Sequence, residues 1–227
     1  NNRLHWLYFF LLILAVELVS AQGDCINFPN STIVSTCPLE FLRTTYVYCI
    51  GTGTATFGST TVAVTIPDSV GGYSNPFAMI IQMQGASIEE SIDTGLYGNV
   101  DDFNGVGKYQ FLELTTVTSP NGNQDDEYSI NFKQPLLSTY SGKFQVILMY
   151  VCDIVEITES FTIPSWNGET GGVFPIIADE LRYTSGSIIA SGTGYRGGVY
   201  SAVSIIASTE GEVYAKECFN GVTDAEK

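Results

Sequence analysis

The sequence is dominated by short apolar runs of strand length, each of which ends at turn-forming residues. Residues 77–83 (FAMIIQM) and 144–151 (FQVILMYV) are almost continuously apolar, which is typical of strands buried on both faces. Residues 60–66 (TTVAVTI) alternate between polar and apolar side chains and stop at Pro67. Beyond residue 21, no run of about 12 residues has helical periodicity. We therefore predict an all-β fold, with a β-sandwich-like domain built of short strands.

The C-terminal part of the sequence changes character near residues 164–171, where we predict a soft internal boundary. From Gly171 onwards the strand-like runs become shorter and glycines recur. This pattern predicts a glycine-punctuated β segment, which is either one edge of the sandwich or the start of a β-solenoid. No repeat of fixed period is evident.

Within that segment, GSIIASGTGYRGG (residues 186–198) contains the letters of a dinucleotide-binding motif, G-x-G-x-x-G. That motif needs a helix directly after the glycines, but the residues that follow are β-branched or serine, which disfavour a helix. Too little chain remains for the second half of such a fold. We predict instead a structural turn, with the arginine paired to a nearby acid or main-chain carbonyl group; its members are Gly192, Gly194, Arg196, Gly197 and Gly198.

Residues 1–21 have the pattern of a secretory signal peptide. A polar start precedes an apolar stretch, residues 7–16, which is followed by small residues at positions 19–21. We predict cleavage before Gln22; the alternative is a retained hydrophobic anchor segment. Residues 22–227 then form an all-β surface domain, and the ending TDAEK indicates truncation at the C-terminus.

The charge of the chain limits its partners. There are 24 acidic and 9 basic residues, which gives a formal net charge of −15. Such a surface repels nucleic acid phosphates and anionic lipids. We therefore predict no nucleic acid partner, contact with a membrane only if residues 1–21 are retained, and an extracellular or cell-surface location.

The cysteines and one asparagine are candidates for covalent modification. In an exported chain cysteines form disulfides, and the odd number leaves one that is free, bonded between chains or bonded to a residue beyond Lys227. Asn30 begins an N-x-[ST] glycosylation motif. The connectivity is open, and the disulfide candidates are Cys25, Cys37, Cys49, Cys152 and Cys218.

The only histidine, His5, lies in the signal peptide. The processed chain therefore has neither a Ser-His-Asp triad nor a histidine metal ligand. We predict no catalytic residue and no cofactor, with calcium as the one exception. Asp101, Asp102 and Asn104 in DDFNG bring several oxygen atoms to one short loop, as calcium requires.

Paired carboxylates and aromatic residues leave a second functional class open. Acidic pairs such as Asp179-Glu180 are frequent and are typical of a solvated surface, although a glycosidase needs only two carboxylates beside a cleft. Aromatic side chains form either a sugar-stacking face or packing contacts; those considered are Tyr73, Tyr97, Tyr109, Trp166 and Tyr195.

Five segments together resemble a known family. In order they are MIIQMQGASI (79–88), YGNVDDFNGVGKYQF (97–111), YSGKFQVILMY (140–150), PSWNGETGGV (164–173) and SGSIIASGTGYRGG (185–198). This succession resembles the N-terminal region of large Bacteroidota cell-surface proteins, which are described as gliding-motility-associated or adhesin-like and are exported by type IX secretion. The sorting domain and the long repeat region of that family are absent from this sequence.

The resemblance implies surface display, with adhesion or filament formation and without catalysis. We therefore predict a non-catalytic structural module of an adhesin or of a self-assembling surface filament. Its partners are other copies of itself, downstream repeat domains or surface glycans. The alternative is a carbohydrate-binding module or a glycoside-active enzyme that works through carboxylates and aromatic residues.

Overall fold

The computed structural model describes residues 33–66, 75–89, 99–119 and 127–195. Within these ranges the chain is made of strands and a single short helix, so the prediction of an all-β fold is confirmed. In chain order the elements are β1 (Val34–Pro38), α1 (Leu39–Thr45), β2 (Val47–Gly51), β3 (Thr61–Thr65), β4 (Phe77–Gln82), β5 (Ser87–Ile88), β6 (Val100–Asp102), β7 (Tyr109–Thr118), β8 (Glu127–Phe132), β9 (Phe144–Met149), β10 (Cys152–Ile157), β11 (Phe161–Thr162), β12 (Ala178–Tyr183) and β13 (Ile188–Ile189).

Six strands close into a barrel in the order β2-β3-β8-β7-β4-β9. The neighbouring strands are antiparallel. The interior is filled by apolar side chains, among them Val64, Ile80, Ile130 and Leu148. Because the sheet closes on itself, its strands expose no unpaired edge.

Strands β4 and β9 lie side by side in the barrel wall and are buried along their whole length. Alternate side chains point to opposite faces of a strand. Ile80 and Leu148 accordingly belong to the barrel core, whereas Met79 and Ile147 belong to a second core on the outer side of the wall. Burial on both faces is what their continuous apolar runs predicted.

A second layer covers the outer face of this wall. It contains a three-stranded sheet, β1-β10-β12, in which all strands are parallel. Val155 and Ile157 of β10 join Leu39 and Leu42 of α1 in the outer core. The outer core therefore lies between two layers of strands, as in the predicted sandwich-like arrangement. The additional feature is that one layer is closed into a barrel with a core of its own.

One disulfide, Cys37–Cys152, joins β1 to β10 across 115 positions of sequence. Cys49, which was a disulfide candidate, is instead a free cysteine buried in the barrel core, because the two other described cysteines bond to each other. Burial raises the pKa of the Cys49 thiol to about 12. This thiol is therefore protonated and unreactive at neutral pH. Cys25 and Cys218 lie outside the described residues, as does Asn30.

Replacing Cys37 and Cys152 together by alanine should lower the free energy of unfolding by about 4 kcal/mol, because a cross-link over a loop of that length restricts the unfolded chain strongly. Guanidinium unfolding of the oxidised protein measures the change. Cys49→Ala is the control, with an expected loss of about 1 kcal/mol. Equal midpoints for the double variant and the unmodified chain would contradict the expectation.

Candidate functional site

The segment from β10 to β13 is a coil of parallel strands. Strand β10 pairs with β12 in parallel, with Cys152 opposite Ala178 and Ile157 opposite Tyr183, so the chain returns beside itself after 26 positions. Strand β11 pairs with β13 in the same sense, with Phe161 opposite Ile188. Parallel strands that return at a nearly constant interval are the building plan of a β-solenoid. We call residues 152–195 the stacked coil.

The turns of the stacked coil also lie on one another. The N–H groups of Thr184 and Ser185 donate to the Ile157 carbonyl oxygen at 3.0 and 3.1 Å. Gly186 has φ 83°, and a Cβ atom there would approach the Glu159 carbonyl carbon to 2.1 Å. Only glycine fits, because both the backbone angle and the close approach exclude a side chain.

The loop between β11 and β12, residues 163–177, fastens the stacked coil to the barrel. Trp166 and Val173 of this connecting loop are buried in the outer core. The side chain of Gln145, on β9, donates to the Gly171 carbonyl oxygen at 2.9 Å and accepts from the Gly171 N–H at 3.0 Å. Gln145 is fully buried, so both main-chain groups of Gly171 depend on this one amide.

Two tyrosines, one just before β2 and one within it, bind the connecting loop nearer to its C-terminal end. The Tyr46 hydroxyl donates to the Pro175 carbonyl oxygen at 2.8 Å, and the Tyr48 hydroxyl donates to the Val173 carbonyl oxygen at 2.9 Å. Burial raises the pKa of both tyrosines well above the usual range. Both therefore remain neutral donors at any physiological pH.

The glycine-rich turn predicted from sequence is described only in part. Gly192 has φ 72°. The next residue, Thr193, donates through its hydroxyl to the Ala190 carbonyl oxygen at 2.7 Å, and its own carbonyl accepts from the Trp166 N–H at 2.8 Å. The turn thus lies against the connecting loop, and Gly194 follows it. Arg196, Gly197 and Gly198 lie outside the described residues, so the predicted partner of Arg196 stays a prediction.

Two of the three calcium candidates, Asp102 and Asn104, take part in local turn structure. Asp102 accepts from the Asn104 N–H at 2.8 Å, and the Asn104 amide donates to the Gly85 carbonyl oxygen at 3.1 Å. Asp101 is exposed. Across the described ranges, no group of three or more His, Cys, Asp or Glu side chains comes together. Calcium at Asp101, Asp102 and Asn104 stays a prediction.

A small groove lies where the connecting loop meets the end of β4. It is bordered by Gln82, Val106, Trp166 and Tyr195 and has a volume of about 60 Å³. The Trp166 ring packs edge-on against the Tyr195 ring, with 5.3 Å between centroids, and its Nε1 is buried without a hydrogen-bond partner. The two aromatic side chains therefore pack against each other, and a sugar-stacking role for them stays a prediction.

Strand β12 forms the far side of the stacked coil. Among the described residues, no strand pairs with β12 on the side away from β10, and we call β12 and β13 the open edge. It exposes apolar side chains, with Leu181 39%, Tyr183 69% and Ile189 38% accessible. An exposed apolar strand edge is a template for pairing with a further strand.

Ion pairs lie on the surface of the open edge. Arg182 donates to Glu180 at 2.8 Å, and this hydrogen bond lowers the pKa of the Glu180 carboxyl. Arg182 also lies 3.8 Å from Glu156 on the neighbouring strand. Glu156 of β10 lies opposite Arg182 of β12. The parallel pairing of these strands therefore brings opposite charges together as well as main-chain groups.

No protein-family model and no curated protein matches this chain. The described ranges contain no helix with the length and apolar character needed to span a bilayer.

Replacing Gln145 by alanine should lower the free energy of unfolding by about 3 kcal/mol, because both buried main-chain groups of Gly171 lose their partner. Gln110→Ala is a matched control, since its amide bonds the main chain at Pro135 and Leu137 in a more accessible place. We expect Gln110→Ala to lower the free energy of unfolding by about 1 kcal/mol. Urea unfolding measures both changes in the free energy of unfolding. Equal losses for the two variants would contradict a special contribution of the Gln145 contact with the Gly171 main chain.

Replacing Gly186 by alanine should separate the turns of the stacked coil, because its Cβ atom meets the main chain of Glu159. Gly192→Ala is the matched control: its φ is also positive, but its Cβ atom would have nothing within 4 Å. We expect about 1 kcal/mol of destabilisation for Gly192→Ala and at least twice that for Gly186→Ala. Thermal unfolding compares the two, and equal shifts would mean that the turns do not lie in contact.

Proposed function

We propose that this chain is a non-catalytic structural module of an exported surface protein, in which the barrel closes one end of a parallel β coil. The observation that carries the proposal is the parallel pairing of β10 with β12, together with the open edge beyond it. A coil of this kind extends by adding similar turns, as the stalk of an adhesin or a surface filament requires.

The barrel is suited to the end of such a coil. Coiled β architectures need end units that cover the terminal apolar face and prevent unwanted pairing. The barrel wall provides that cover, because β4 and β9 supply one side of the outer core on which the stacked coil lies. The Cys37–Cys152 bond joins the first parallel strand to the second and ties the coil to the N-terminal part of the domain.

The disulfide also supports an exported location. Disulfides persist in oxidising compartments and are rare in the cytosol. The signal peptide predicted for residues 1–21 and the negative charge of the chain agree with display at a cell surface. The adhesin and gliding associations rest on the resemblance of the five sequence segments and belong to the proposal.

The charged residues of the described part favour a structural role over hydrolysis. Surface pairs such as Glu40 with Arg43 and Glu180 with Arg182 occupy several of the acids. The half-accessible Lys133 pairs with the buried Glu113. A glycosidase needs one carboxyl group with a raised pKa beside a cleft of sugar size. Asp179 does have a raised pKa, from partial burial and the charge of Asp153, but it is exposed on β12.

The test displays the chain on beads and measures attachment to a panel of glycan-coated and protein-coated surfaces, beside a hydrolysis screen on soluble glycans. We expect attachment, no turnover, and loss of attachment when Gly186→Ala opens the coil. Gly192→Ala beads are the control and should attach as the unmodified chain does. Turnover that disappears after a single acid-to-amide change would overturn the proposal in favour of the carbohydrate-active alternative.

A further inference from the structure

The turn between β6 and β7 contains an asparagine in a sparsely populated backbone conformation. Asn104 has φ 48°, and Gly105, which follows it, has φ 88°. Both angles lie in the left-handed region, which glycine enters freely and which asparagine tolerates better than most other residues. Asn104 is also exposed at the surface. This turn therefore presents to water an asparagine that is followed directly by glycine.

An asparagine that precedes glycine can react with its own main chain. The Gly105 nitrogen bonds to Cγ of Asn104, and Nδ2 leaves as ammonia, which carries away the proton of the Gly105 N–H. The product is a cyclic imide, a succinimide. Water then opens the ring to aspartate or to isoaspartate, in which the main chain runs through the side-chain carbon. Glycine favours ring closure because no side chain hinders the approach of its nitrogen.

A second asparagine of this kind, Asn167, precedes Gly168 in the connecting loop. Its side-chain oxygen accepts from the N–H groups of Glu169 at 2.9 Å and Thr170 at 2.8 Å. These two hydrogen bonds hold the carbonyl group of the side chain towards the residues that follow Gly168. Ring closure has to break both of them, so the turn itself protects Asn167.

Asn104 is held from the other end of its side chain. Its Nδ2 donates to the Gly85 carbonyl oxygen at 3.1 Å. This hydrogen bond holds the leaving group and not the carbonyl group that is attacked. We propose that Asn104 is a site of spontaneous deamidation in the folded chain, and that Asn167 is not.

The modification loosens the contact of this turn with the barrel. Gly85 loses its donor, because a carboxylate at residue 104 can only accept. The new charge also lies beside Asp102, which accepts from the Asn104 N–H at 2.8 Å, so that like charges repel each other. In the isoaspartate form the carbonyl group of residue 104 shifts as well. That carbonyl oxygen accepts from Nε2 of the buried Gln82, at 2.8 Å, at the end of β4.

This inference goes beyond the proposed function, and its test needs no assay of attachment. The purified, oxidised chain is incubated at mildly alkaline pH in water enriched in the heavy oxygen isotope, and both asparagines are followed by peptide mapping with mass spectrometry. Chromatography separates the asparagine, aspartate and isoaspartate peptides, and uptake of heavy oxygen marks those that formed through the imide during the incubation. The matched control is the same chain unfolded in guanidinium.

In the folded chain, Asn104 should react at least about fivefold faster than Asn167, because Asn167 must give up one more hydrogen bond. In the unfolded chain the two should react at similar rates, since each follows an aromatic residue and precedes glycine. Similar rates in the folded chain, or an Asn104 that reacts only after unfolding, would overturn the proposal.

Two variants test the structural consequence. Asn104→Asp should unfold at a lower urea concentration than the unmodified chain, because Gly85 loses its donor. Asn167→Asp is the matched control and should unfold no earlier, since a carboxylate still accepts from both N–H groups of its turn. Equal midpoints for Asn104→Asp and the unmodified chain would refute the loosening of the turn between β6 and β7.

Discussion

The burial of β9 on both of its faces is the constraint on which the rest of the structure depends. The side chains on one face lie in the barrel core, and those on the other face lie in the outer core. A strand in that position tolerates a polar side chain only if the side chain has partners. Gln145 is that polar residue, and the Gly171 main chain supplies both partners. The contact that satisfies the barrel wall therefore also fixes the position of the connecting loop.

The parallel coil follows from that placement. The connecting loop is held along its length by Gln145, Tyr46 and Tyr48, which brings the end of the loop back to the start of β10. Strand β12 then has β10 beside it in the same direction, and the turn at Gly186 lies on the preceding turn. The stacked coil lies against the outer face of the barrel wall, and its turns contact one another through main-chain hydrogen bonds.

The sequence predicted some of this and not the rest, for physical reasons. The runs at 77–83 and 144–151 predicted two-sided burial, and the alternation at 60–66 predicted a half-buried strand, because side-chain periodicity reports the faces of a strand. Barrel closure has no such signature, since it depends on register between strands far apart in sequence. The glycines from Gly171 onwards left the start of a β-solenoid as one of two interpretations. The parallel pairing and its register had no signature, because the stacked positions share little: Cys152 lies opposite Ala178, and Phe161 opposite Ile188. The Gln145–Gly171 contact joins a side chain to a main chain, which leaves no pattern in the sequence.

The central claim for this structure is that β10 and β12 are parallel neighbours in register. The most direct measurement is the set of main-chain nuclear Overhauser contacts between these strands in the folded chain. The account predicts contacts along the strand pair between residues 26 positions apart, from Cys152 with Ala178 to Ile157 with Tyr183. Contacts whose sequence separation changes steadily along the strands, which is the signature of an antiparallel pair, would contradict it.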